Sequence, residues 1–453
     1  MGPWFDKCEI LPAAIYERFI SFHQIRVPQS AAHVRIPFNW ALEAKVTPPF
    51  CNLDPLLVRF RLDAQFQETK SLEMYKASLK EVAINWSKIG IFSFGGPPTH
   101  IRLLRELCVV EKEWIDAEHF EDAIATCNLL PGPTTSQLAI YSAWKVRGTL
   151  GALLGGFLFI APGLILVLAL ASVFISRSTP KIILAIGEGA GATVAAIAAQ
   201  AAINLLPSSW ERKHNAFRWV TYVGAGVVGA IYAGPFLVLV LLVCGLVEFL
   251  WRRPIYPRSH QNLIALFPTL PPRAISSVFV KVAWVAFKVG ALSYGGGFII
   301  VPLMRGDAVT TYHWMSSQMF LSAVALGQIT PGPVVQTVAV VGYSAAGVGG
   351  GLLAALVAFS PSFIFVIFGA KRFARVRQNI AMRYFLDGIG PAAIGAILGA
   401  SVPLTLDLKH IWQFVLLFLS LLLLVRFRIS VVIVILGAGC VAAILFYLGV
   451  IPG

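Results

Sequence analysis

The chain has 453 residues, 57% of them hydrophobic and only 13% charged. Soluble domains carry about 25% charged residues, so this composition excludes a water-soluble globular fold and points to an integral membrane protein. The formal net charge of +14 comes from 36 Lys and Arg against 22 Asp and Glu; it is either the cytoplasmic basic bias of a multispanning chain or a field that draws anions. The basic residues are spread among apolar segments, which argues against nucleic acid as a partner. Cys8, Cys51, Cys108, Cys127, Cys244 and Cys440 form no CxxC or Cys/His cluster, so no metal site, cofactor or disulfide framework is expected from them.

Residues 1–80 are mixed in charge, with scattered prolines and no apolar run long enough for a signal peptide. They read as a loosely structured amino-terminal extension, and Met74 stands as an alternative start. Residues 81–251 form a first repeat. It opens with an apolar segment, 82–101, that carries Lys88 and ends in Gly-Gly-Pro-Pro. A charged loop is expected over 102–122, then an apolar segment broken by Pro131-Gly132-Pro133. Beyond Lys145 and Arg147 comes a long apolar run, 151–176, containing Pro162. The glycine- and alanine-rich segment 182–206 suits close helix packing in lipid. Two shorter apolar stretches, 219–233 and 236–251, flank Gly234-Pro235.

A basic, proline-rich linker, 252–277, separates this half from a second repeat, 278–453, that follows the same plan. Pro331-Gly332-Pro333 returns 200 positions after its first occurrence, as does Ser293-Tyr294-Gly295-Gly296 after Ser93-Phe94-Gly95-Gly96. Lys288 answers Lys88, Trp314 answers Trp114 and Phe320 answers Phe120. Beyond the break the offset becomes 199, pairing Gly148 with Gly347, Pro162 with Pro361, and Glu188-Gly189 with Asp387-Gly388. So many matches in register indicate internal duplication. The expected fold is an all-α integral membrane protein of two homologous helical repeats with Pro-Gly-Pro-broken, re-entrant helices. Re-entrance is preferred because it brings Lys371, Arg372, Arg375, Arg377 and Arg383 to the cytoplasmic side, as the charge rule asks. Inverted repeats, from an odd number of crossings per half, stay open.

A helix cannot run undisturbed through Pro-Gly-Pro, since each proline removes a donor and clashes with the preceding turn. In a bilayer the freed polar groups must find protein, water or a ligand, and a breaker at matching places in two halves points to a transporter's binding site. Helices are expected to restart at Thr134 and Val334. Their N-termini suit an anion, with Thr134, Thr135, Ser136 and Gln137 adding donors in one half and Gln336 and Thr337 in the other. The plainer alternative is that the prolines only kink the helices while the hydroxyls bond back to their own turns. Ser93, Gly95, Gly96 and Thr99, with Ser293, Gly295 and Gly296, form a second pair of candidate anion loops, or else a close helix contact. Lys88 and Lys288 are candidate intramembrane cations that snorkelling explains equally well. Arg102, Arg105 and Arg305 either collect anions or mark a solvated loop. Glu188 and Asp387 are candidate coupling acids with a plain interfacial role as the alternative. Glu118, His119, Glu121 and Asp122 read as a solvated face, not a metal cluster, and no HExxH, GxSxG or Walker-type motif occurs.

At FSFGGPPTHI (92–101), LLPGPTTSQLA (129–139), VGALSYGGGFIIVPL (289–303) and ITPGPVVQTVA (329–339) the sequence resembles the chromate ion transporter family in its long, two-repeat form. The resemblance spans about residues 75 to 453. It implies gradient-driven export of chromate across the plasma (cell inner) membrane, chromate resistance, and sulfate as a competing substrate of the same shape. Two features depart from that pattern: the amino-terminal extension has no counterpart, and Arg102-Leu103-Leu104-Arg105 is unusually basic. The residues alone support an anion transporter with duplicated halves, and leave open a passive channel, another tetrahedral oxyanion and a homo-oligomer. A membrane-embedded reductase lacks haem or flavin motifs to build on.

Overall fold

The computed structural model describes residues 77–128, 130, 132–175, 179–211, 213–252, 277–293, 299–370 and 380–451. Expectations for residues 1–76, most of the linker, Pro131, Gly295, Gly296 and the basic residues 371–377 lie outside these.

The first helix, α1 (Leu79–Phe92), starts at a capping box in which Ser78 and Glu81 satisfy each other's backbone N–H groups. It ends before Gly95 and Gly96, whose φ values of +102° and +77° no helix can accommodate. Pro97 then opens α2 (Pro97–Arg105), at the helical position where a missing N–H costs least. The chain continues through a π-helical turn (Glu106–Glu111) to α3 (Ala117–Cys127), capped by Asp116. The expected loop over 102–122 is therefore mostly helical. Its charges mislead because they lie on one face: Arg102, Arg105 and Glu106 are exposed while Leu104, Leu107 and Cys108 are buried at helical spacing.

The fourth helix, α4 (Thr134–Phe174), reverses at Arg147 and Gly148, where Gly148 has φ +67°. Residues 149–174 pack back along 134–146 so tightly that a Cβ on Gly151 would lie 2.4 Å from the Ala143 carbonyl oxygen. The second half repeats this hairpin. After α9 (Val278–Leu292), α10 (Ile300–Arg305), a π-turn (Gly306–Thr311) and α11 (Ser317–Ile329), α12 (Thr337–Gly369) turns at Ala346 and Gly347. There Gly342 and Gly350 face each other, a Cβ on Gly350 falling 2.2 Å from the Gly342 carbonyl oxygen. The longer arms, 149–174 and 348–369, each exceed the roughly 20 residues a crossing requires.

The remaining helices are α5 (Lys181–Ala192), α6 (Val194–Glu211), α7 (Ala216–Val228) and α8 (Leu237–Arg252) in the first half, with α13 (Ile380–Leu406), α14 (Ile411–Val425) and α15 (Val431–Tyr447) in the second. Four stretches are long and apolar enough to cross a membrane: Thr134–Phe174, Lys181–Glu211, Val334–Gly369 and Ile380–Leu406. Large apolar side chains such as Phe157, Ile165, Leu356, Phe368 and Phe418 point outward, as lipid-facing helices require.

The two halves interlock. Each first helix packs on its own hairpin, α1 on α4 and α9 on α12, through Gly90 and Gly290. The two hairpins then cross each other. The last helices exchange partners: α7 and α8 lie on α13 of the other half, and α14 and α15 lie on α6 and α5. Matched glycines make this exchange close. Gly189 meets Ala438 and Ala442 on α15, while Gly388 meets Cys244 and Glu248 on α8.

Candidate functional site

Both Pro-Gly-Pro breaks abut the crossing of α4 and α12. In the second half, Pro331-Gly332-Pro333 turns the chain through Gly332 at φ +93°. The Gly332 N–H donates to the Ser93 carbonyl of the first half at 3.3 Å. The Pro331 carbonyl lies so close to Gly163 that a Cβ there would be 1.9 Å from it. Gln336 donates from Nε2 to the Ile160 carbonyl at 2.8 Å, two residues before Pro162. The second break thus fits against the kink of the first half's long helix.

The first break makes the reciprocal contact. Gly132 has φ +119°, and a Cβ there would lie 2.6 Å from Gln137 Nε2, 3.3 Å from Ser362 Oγ and 3.5 Å from the Gly290 carbonyl oxygen. Ser362 follows Pro361, so this break meets the kink of the second half's long helix. Pro133 precedes the first turn of α4, in which Thr134, Thr135, Ser136 and Gln137 are all buried. The matching turn in the second half is a short 3₁₀ segment (Val334–Gln336) before α12. There Thr337 donates to the Val334 carbonyl at 2.8 Å, the back-bonding expected of a helix hydroxyl.

Polar atoms without hydrogen-bond partners within the described chain concentrate here: Ser93 Oγ, Ser136 Oγ, Ser142 Oγ, Ser293 Oγ, Ser362 Oγ and Gln336 Oε1. An unsatisfied buried polar atom costs about 1–3 kcal/mol. A cluster of such atoms beside two helix starts is a place suited to water or a hydrogen-bonding ligand. The glycine run contributes Ser93, buried at the end of α1, with Gly95, Gly96 and Thr99 at the start of α2; the Thr99 N–H donates to the Gly96 carbonyl at 3.1 Å. Ser293 occupies the same place at the end of α9.

The ionisable candidates lie in unequal surroundings. Lys88 is exposed, whereas Lys288 donates to Asp307 Oδ2 at 2.6 Å in a nearly buried ion pair. Arg305 holds Asp407 through two bonds of 2.9 and 2.7 Å; Arg105 meets Glu121 at 3.3 Å with both side chains about half exposed. Asp387 accepts from Arg252 at 2.7 Å, and Glu188 lies near Lys409 and His410. Asp307, Asp407 and Arg252 were not picked out from sequence, because their partners are distant along the chain.

His100 is a further residue the sequence reading passed over, although it lies inside FSFGGPPTHI. It is fully buried, its Nε2 is 3.1 Å from the Ser93 carbonyl oxygen, and its ring edge meets Phe159. The imidazole steadies the end of α1 through this contact. A lone histidine in an apolar run gave no signal for this position.

The geometry is a duplicated, buried, hydroxyl- and amide-rich seam at the centre of a helical membrane protein. The sequence profile of the chromate transporter family matches residues 80–249 and 280–443, one match per repeat. The chain is 32% identical over 336 residues to the chromate transport protein of Cupriavidus metallidurans, covering 72% of this chain and 82% of that one. It is 30% identical over 345 residues to a probable chromate transport protein of Synechococcus elongatus, covering 74% and 86%. It is 26% identical over 366 residues to a chromate transport protein of Pseudomonas aeruginosa, covering 74% and 82%. No solved structure matches. Two profile matches in register with the two structural repeats, and relatives aligned over most of their length, show that this chain belongs to the chromate transporter family.

Proposed function

We propose that the chain is a secondary active transporter that exports chromate across the plasma membrane and so confers chromate resistance, with sulfate competing at the same site. The observation that carries this is the reciprocal packing of each Pro-Gly-Pro break against the proline kink of the other half. Amide dipoles and hydroxyls from both repeats then face one seam, where neutral donors can replace the hydration of a dianion. Thr134, Thr135, Gln137 and Ser93 supply donors from the first half, and Ser293 and Gln336 from the second. The breaks divide short helices that dip in and return. Glu188 and Asp387, placed at matching turns of the interlocked helices, carry the coupling proton. Lys88 attracts the anion at the surface.

The test is flux of labelled chromate and sulfate into and out of proteoliposomes, with and without an imposed proton gradient. Chromate movement that follows the gradient, falls in Pro331→Ala, and is inhibited by sulfate is the expected result. Flux that persists unchanged when the proton gradient is collapsed makes the protein a passive anion channel. No chromate movement above empty liposomes overturns the proposal.

A further inference from the structure

A charged cavity lies outside the seam, and of the residues assigned so far only Asp387 reaches it. It measures about 750 Å³ and lies between the end of α3, the α6–α7 connection, α7, α8 and α13. Lys213, Arg218 and Arg383 line it, along with Glu121, Glu248 and Asp387. We propose that this cavity is an anion vestibule, which takes small inorganic dianions from water and delivers them to the first break. The proposal rests on the anion-transport reading above.

The acids of the wall are already answered. Glu248 accepts from Tyr222 at 3.0 Å and is paired with Arg252 at 3.3 Å and Arg218 at 3.5 Å. Asp387 is held by Arg252 at 2.7 Å and Glu121 by Arg105 at 3.3 Å. Three cations and three carboxylates line the cavity, and Arg252 and Arg105 stand behind the wall against those carboxylates. The cations left to the cavity are those on its lining without an acid. Arg383 is exposed and has no acidic partner among the described residues. Among those residues Lys213 meets only Trp210, whose ring face is 3.7 Å from its Nζ and whose carbonyl takes a weak bond. A cleft lined with excess charge of one sign concentrates counter-ions at its floor.

Position makes this a delivery site. Asn128 on the cavity wall caps α3, three residues before Pro131. An anion held there is about one helical turn of chain from the break.

The experiment reads local potential without relying on transport. Ala125, an exposed residue on the wall, is changed to cysteine in a full-length protein carrying Cys8→Ser, Cys51→Ser and Cys440→Ser, reconstituted in liposomes. Its rates of modification by a negatively and a positively charged methanethiosulfonate are compared. The vestibule predicts that the anionic reagent reacts about tenfold faster at low salt. That preference collapses toward one in about 1 M salt, and in Lys213→Gln and Arg383→Gln, each examined separately in case one misfolds. Added sulfate or chromate slows the anionic reagent. Equal rates for the two reagents, or a preference for the cation, overturn the vestibule even where chromate flux is intact. An anion preference in a protein that moves no chromate upholds the vestibule and sinks the transport reading instead.

Discussion

In the second repeat Lys288 donates to a buried Asp307 at 2.6 Å and Arg305 grips Asp407 through two bonds. In the first repeat Lys88 is exposed, the position of Asp307 is held by Leu107, and Arg105 meets Glu121 near water. The backbones match hairpin for hairpin and break for break. The difference lies in where charge and hydroxyls went after duplication. The second half spends its ions on fixing its own helices. In the first half the matching cations, Lys88 and Arg105, stay exposed, and the buried polar side chains Thr134 to Gln137 gather at the break. Duplication supplied a symmetric frame, and side-chain divergence gave its two halves different ion pairs.

The sharpest way to break this comparison is Asp307→Ala, which strands Lys288 in a nearly dry site. A loss of about 3–5 kcal/mol is expected, read as a lower midpoint of thermal unfolding in detergent. Lys88→Ala should stay within about 0.5 kcal/mol. The double change Asp307→Leu with Lys288→Met, which gives the second half the first half's apolar solution, should recover most of the loss. If Asp307→Ala unfolds no earlier than Lys88→Ala, the pair does not fix the second half's helices.

Gly163→Ala comes next, since its Cβ would press into the Pro331 carbonyl. Overpacking at backbone costs about 1–3 kcal/mol, and chromate flux should fall with it. Its counterpart Ser362→Ala removes a hydroxyl that has no partner among the described residues and should leave stability nearly unchanged. Equal effects of the two would mean that the breaks do not seat on the kinks as described.

At the breaks themselves, Ser136→Ala should weaken the apparent affinity for chromate by about tenfold, the scale of one hydrogen bond to a charged group. Thr337→Val should change it little, because that hydroxyl is already spent on the Val334 carbonyl. Competition of sulfate against chromate uptake measures both. The smallest effect belongs to Arg105→Ala, whose pair with Glu121 is about half exposed and is worth about 0–1 kcal/mol, against a clear loss for Arg305→Ala.

Much of this molecule could be read along the chain because the signals are local. Proline and glycine restrict the backbone wherever they stand, so the breaks at 131–133 and 331–333, the helix starts at Thr134 and Val334, and the apolar crossings were all legible. Repetition at offsets of 200 and 199 made the two halves visible without any fold. Residues 102–122 were misread because counting charges ignores which face of a helix they occupy. The ion pairs were hidden for another reason: Arg305 and Asp407 are 102 residues apart, and no periodicity links them.

The sequence alone determined that the protein lies in a membrane, that it is duplicated, and where its helices must break, since these follow from hydropathy and from the stereochemistry of proline and glycine. Only the tertiary structure decided that each break seats on the opposite half's kink, that the last helices trade partners, and that a charged cavity opens between α3, α7, α8 and α13. Those outcomes depend on close packing between segments distant along the chain, where a carbonyl against a glycine or a lysine against an aspartate sets the register.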